Sequence, residues 1–155
     1  MLRFRPSFLS LALIVFAAAL FAQSGHVNAF TGTWKMDIAK SRFAGGTPPK
    51  QEIFTFQPDG SLLVSIETPG GGKLSFSRPW SGGREVALTG TPDANATMTT
   101  VIHGRILKDT WKVGGKVLRT ARGEVSPNGL TLTVTVDGKD DQGRPERRVE
   151  VFDKQ

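Results

Sequence analysis

Leu130-Thr131-Leu132-Thr133-Val134-Thr135-Val136-Asp137 alternates apolar and polar side chains without a break. Successive side chains of a β-strand point to opposite faces, so a strand is the element that buries one half of this stretch and wets the other. The same period of two recurs along the chain. Phe30, Gly32, Trp34 and Met36 share one face, as do Leu62, Val64 and Ile66, and then Leu74 and Phe76. The runs are separated by Pro58-Asp59-Gly60, Pro69-Gly70-Gly71-Gly72, Gly114-Gly115 and Ser126-Pro127-Asn128-Gly129, all residue types that favour tight turns.

The pattern predicts strands over 30–37, 51–57, 61–68, 73–78, 84–89, 96–103, 105–113, 116–125, 130–137 and 146–154. In the strand 130–137, Leu130, Leu132, Val134 and Val136 are expected to face inward. Residues 38–50 read as a loop with room for one helical turn. Tight turns between neighbours force antiparallel pairing. A long meander gains by curling into a cylinder, because closure removes exposed edges. The expected fold is therefore all-β: an antiparallel up-and-down barrel of about 8–10 strands. A sandwich is the rival, but it needs longer crossovers than this chain offers outside 38–50.

The first 29 residues read as an export segment. Arg3 and Arg5 make a basic start, and residues 8–22 are apolar without a charge. That run falls short of the roughly 20 residues that a membrane helix needs, which favours a signal peptide. Cleavage is expected after Ala22 or after Ala29. A single domain over 30–155 would follow, periplasmic or secreted, with no membrane anchor left. The chain has no cysteine, which excludes disulfides, a thiolate metal site, a cysteine nucleophile and a lipidated cysteine. The net charge is +6. Its basic residues are interspersed with Asp, Glu and Thr rather than gathered on one face, so no nucleic-acid partner is expected.

Catalytic and metal signatures are missing. There is no His-Glu-x-x-His, no Gly-x-Ser-x-Gly and no phosphate loop. His103 stands at a predicted strand end, and a catalytic base needs a partner within hydrogen-bond reach. Asp140 and Asp141 lie in a polar turn that lacks the terminal Glu of a calcium loop. No metal, no cofactor and no enzymatic activity are expected.

Gly32-Thr33-Trp34-Lys35 resembles the Gly-x-Trp signature of the calycins, the group of barrels that includes lipocalins and fatty-acid-binding proteins. The resemblance implies that Gly32 and Trp34 are structural. Trp34 would plug one end of the barrel beneath an Arg of the last strand, for which Arg148 is the candidate. Residues 149–155 also resemble the terminal strand of the fatty-acid-binding proteins. The Arg-x-Tyr carboxylate clamp of that family falls on Glu150-Val151-Phe152 here, so the clamp is not carried over. The helical lid of that family does not fit into 38–50, and the lipocalin C-terminal helix has no counterpart. Thr31-Gly32-Thr33-Trp34-Lys35, Ala39-Lys40-Ser41-Arg42-Phe43, Thr89-Gly90-Thr91-Pro92-Asp93-Ala94, Gly114-Gly115-Lys116-Val117 and Val151-Phe152-Asp153-Lys154-Gln155 resemble a group of small exported bacterial proteins. That likeness implies export and the barrel, and no chemistry.

Inward parity selects the candidate ligand-contact residues Phe54, Phe56, Phe76, Trp80, Asp109, Trp111 and Arg119. Asp109 shares a face with Leu107 and Trp111, and Arg119 shares one with Val117, Ala121 and Val125. A charge on such a face needs a partner, since an unpaired buried charge costs several kcal/mol. Asp109, a ligand anion or water at the mouth would serve for Arg119. Three functions compete. The first is an exported barrel that holds a small hydrophobic or amphipathic ligand, with Arg119 as its polar anchor. The second is a cell-envelope interaction module whose barrel is filled by Phe54, Phe56, Phe76 and Trp111. The third is an enzyme using Asp109 with His103. The sequence leaves the oligomeric state open.

Overall fold

The structure is a computed structural model, and it describes residues 29–44, 47–139 and 143–155. The expected export segment up to residue 28 lies outside the described residues, as do Asp140 and Asp141. Eleven strands and no helix are present among the described residues. They are β1 (Gly32–Met36), β2 (Arg42–Ala44), β3 (Gln51–Phe56), β4 (Leu62–Glu67), β5 (Lys73–Arg78), β6 (Glu85–Ala87), β7 (Ala96–His103), β8 (Ile106–Val113), β9 (Lys116–Val125), β10 (Thr131–Lys139) and β11 (Pro145–Lys154).

Ten of these strands form one antiparallel sheet in the order β5-β4-β3-β1-β11-β10-β9-β8-β7-β6. Neighbours in space are almost all neighbours in the chain, as tight turns require. Two pairings depart from that rule, β1 with β3, because β2 lies off the path, and β1 with β11. β1 pairs with β11, so Trp34 stands opposite Lys154 and Met36 opposite Phe152. At the sheet's two edges, β5 and the chain just after β6 meet through a bridge in which Ser77 and Thr89 exchange backbone hydrogen bonds of 2.8 and 2.9 Å. That seam makes the sheet a nearly closed barrel.

The segment expected as a loop opens with a single turn, where Ser41 N–H donates to Asp37 O at 3.1 Å. It then adds β2, which the sequence did not signal. β2 pairs with Arg147–Val149 of β11, in the stretch of that strand beyond the end of β1.

One end of the barrel is solid. Phe30, Trp34 and Phe152 are completely buried. The Trp34 indole N–H donates to Phe30 O at 2.7 Å, so burying the indole leaves no orphaned donor. Phe54 stacks on Phe152 with centroids 4.3 Å apart, and Phe30 packs obliquely on Phe56 at 5.6 Å. Two expectations need correction here. The cation over the Trp34 ring is Lys154, 5.0 Å from its centroid, and not Arg148. Register decides this, because Lys154 faces Trp34 across the β1–β11 pair while Arg148 lies beyond the end of β1. Gly32, at φ +123°, leaves room for that lysine, since a Cβ there would stand 3.1 Å from Lys154 Cε. Leu130 does not face inward. It is 59% exposed, because its N–H closes the hairpin turn on Asn128 Oδ1.

The seam depends on Gly90. Its φ of +87° suits glycine, and a Cβ there would sit 2.5 Å from Ser75 O. Gly90→Ala should destabilise the fold by roughly 1–3 kcal/mol. Chemical unfolding would measure the loss. Hydrogen exchange should place it at the amides of Ser77 and Thr89 first; uniform acceleration across the barrel would contradict this account of the seam.

Candidate functional site

The barrel interior contains a cavity of about 220 Å³. Its apolar walls include Phe54 and Phe56 from β3, Phe76 from β5 and Trp111 from β8. These aromatics therefore line the interior without filling it. The strand directions place Leu74, Trp111, Arg119 and Thr91–Asp93 toward the end opposite Trp34, so the mouth lies there. Trp80 is not part of the wall. Its ring covers Gly60 at the β3–β4 turn, near the closed end.

Trp111 is held by two neighbours. Phe76 meets it edge-on at 5.2 Å, and the Arg119 guanidinium lies 5.0 Å from its ring centroid. A β-bulge follows the second contact. Trp111 pairs with Arg119 but Lys112 pairs with Val117, so Leu118 is an extra residue in β9. The bulge re-aims the strand. Arg119 and Ala121 line the cavity, while Val117, expected on the same face, is 56% exposed.

Charged side chains form two groups inside the barrel. Near the middle, Asp109 Oδ1 accepts a hydrogen bond from Thr100 Oγ1 at 2.5 Å. Burial pushes the Asp109 carboxyl above its usual range, against the opposing pull of Arg78 and that hydrogen bond. Arg78 is 1% exposed and donates to Gly60 O at 3.2 Å. Arg78 is the cation whose charge acts on the Asp109 carboxyl.

The second group surrounds β11. Arg148 pairs with Glu146 and with Glu150, whose Oε1 is 2.5 Å from Arg148 Nε in an ion pair without hydrogen-bond alignment. Burial opposes the Arg148 charge, but Glu150, Glu146 and Glu52 outweigh it and raise its pKa. Glu150 is 2% exposed and Glu52 7% exposed. Burial raises the Glu150 pKa, with Arg148 acting in the opposite direction. Glu52 is pushed up to about 8, first by burial and then by Glu150, while Arg148 and Arg119 restrain the rise.

Glu52, Arg78 and Glu150 were not among the sequence candidates, although parity could have found them. Glu52 alternates with Phe54 and Phe56, Arg78 with Leu74 and Phe76, and Glu150 with Phe152. The proposed His103–Asp109 pairing does not form. His103 is exposed at the β7–β8 turn, and Asp109 points inward opposite Thr100. Among the described residues, no three potential metal-ligating side chains converge.

A raised folded-state pKa for Glu52 means that the native chain holds a proton which the unfolded chain releases at lower pH. Stability from this group is then present below about pH 4.5 and is lost as pH rises toward about 8. Glu52→Gln removes that loss. The variant should gain on the wild type by on the order of 2–5 kcal/mol across this interval, measured by urea unfolding at a series of pH values. A difference that does not change with pH would refute the assignment.

No protein-family model matches the chain, and no curated protein does either. Among solved structures it is similar to zebrafish ileal bile acid-binding protein complexed with cholic acid. The TM-score is 0.47 at 14% identity, over 82% of this chain and 99% of that one. A likeness this distant assigns neither ligand nor residues.

Proposed function

We propose that the protein is a binding barrel which holds a small hydrophobic or amphipathic molecule in its interior and performs no chemistry on it. The supporting observation is the cavity of about 220 Å³, walled by Phe54, Phe56, Phe76 and Trp111 and opening opposite the Trp34 plug. An engineered apolar cavity of about 150 Å³ already takes up benzene, so this space suits a ligand of modest size. A filled barrel, as an interaction module requires, would leave no such space. Trp80 has no part in this reading, because it lies outside the wall.

The energetics set the scale. A ligand burying roughly 400 Å² gains about 10 kcal/mol at about 25 cal/mol per Å². Association costs at least about 4 kcal/mol. The remaining 6 kcal/mol or so corresponds to a Kd of tens of micromolar. Native mass spectrometry and titration with Nile red, an uncharged solvatochromic dye, test the idea. Saturable binding is expected. Ala121 lines the same cavity, so Ala121→Phe should fill it and weaken dye binding by about tenfold or more with the fold retained. Binding unaffected by that substitution would place the dye elsewhere on the protein.

The setting proposed for this activity is outside the cytoplasm, after removal of the basic and apolar N-terminal stretch. N-terminal sequencing of the protein recovered from periplasm or culture medium should begin at Gln23 or Phe30. An intact Met1 start in that fraction would rule out cleavage.

A further inference from the structure

Glu52 differs from the other carboxyl groups of the interior. Asp109 has Thr100 and Arg78, and Glu146 and Glu150 have Arg148. The Glu52 side chain makes no hydrogen bond or ion pair among the described residues, although it is more than nine-tenths buried and lines the cavity. Its flanks in the sheet offer no partner. Ile66 of β4 stands opposite it, and on the other side β1 ends at Met36. A buried polar group without a partner costs about 1–3 kcal/mol, and here the open side of that group is the ligand space.

The surrounding charges restrict what such a group can receive. Arg119, Arg148, Asp109 and Glu150 line the cavity, and the charges of Arg78 and Glu146 act on Asp109 and Arg148 from beside it. Among the described residues those six are three of each sign. Glu52 is the seventh, and the groups acting on it are Glu150 and Arg148 of β11 and Arg119 of β9. Asp93 on the rim is partly exposed and solvated. A carboxylate ligand would add an uncompensated negative charge beside Glu150. An ammonium ligand would enter a wall that already carries Arg119 and Arg148.

We propose that Glu52 is the polar anchor of the cavity and that its carboxylic acid O–H donates to the oxygen of an uncharged, mainly apolar ligand, such as a ketone, ester or alcohol. The proposal rests on the binding function above and replaces Arg119 as the anchor, since Arg119 is engaged with Trp111.

Three eight-carbon probes separate the classes: 2-octanone, octanoate and octylamine. Titration calorimetry at about pH 6.5, with Glu52 still protonated, should show 2-octanone binding about tenfold or more tightly than either charged probe. Glu52→Gln, which keeps a donor, should preserve that preference. Glu52→Leu should abolish it while Nile red still binds. Should Glu52→Leu fail to fold, pH decides. The wild-type preference for 2-octanone should fade above about pH 8, and that of Glu52→Gln should not. Equal or tighter binding of octanoate or octylamine by the wild type would overturn the anchor, as would an unchanged preference in Glu52→Leu. Nile red binding without discrimination defeats the anchor alone. If no probe binds, Nile red included, the binding function fails and the anchor fails with it.

Discussion

An antiparallel sheet of ten strands has two raw edges, and here a single pair of backbone hydrogen bonds between Ser77 and Thr89 joins them. Every interior property of the barrel depends on that junction. Without it, the inward faces of β3, β5 and β8 would belong to an open curved sheet, and water would reach the aromatic walls. The junction is short, as is β6 with its three residues. Gly90 lets the loop after β6 lie directly against Ser75 and Phe76.

Closure also explains the unusual interior. A cylinder of this strand number is wide enough that side chains need not meet at the axis. The plug of Phe30, Trp34 and Phe152 fills one end, and charged residues occupy part of the remainder. Their burial is tolerable because most sit in compensated sets: Arg148 with Glu146 and Glu150, and Asp109 with Thr100 and Arg78. The bulge at Leu118 leaves Arg119 over Trp111 and turns Val117 toward solvent.

Local features of the molecule were legible from the residues alone. Alternation located all ten strands of the barrel, and Pro-Asp-Gly and Pro-Asn-Gly marked their turns. The aromatic wall followed from parity. Features set by long-range register were not legible. Whether Lys154 or Arg148 meets Trp34 depends on how the two ends of the chain are staggered. The short strand β2 exists because β11 outlasts β1. The cation that acts on Asp109, Arg78, comes from β5, which is not a neighbouring strand. Glu52 and Glu150 were readable by parity. The apolar residues beside them drew attention to the aromatic wall and away from its acids.

The pairing of β1 with β11 has a consequence for how the chain is made. β1 emerges from the ribosome before β3 to β10, yet its neighbour on one side is β11, which emerges after all of them. Hairpins between consecutive strands can form as synthesis proceeds, but the Trp34 plug waits for Phe152 and Lys154. Until then the sheet lacks the strand that joins β1 to β10, and the barrel cannot close.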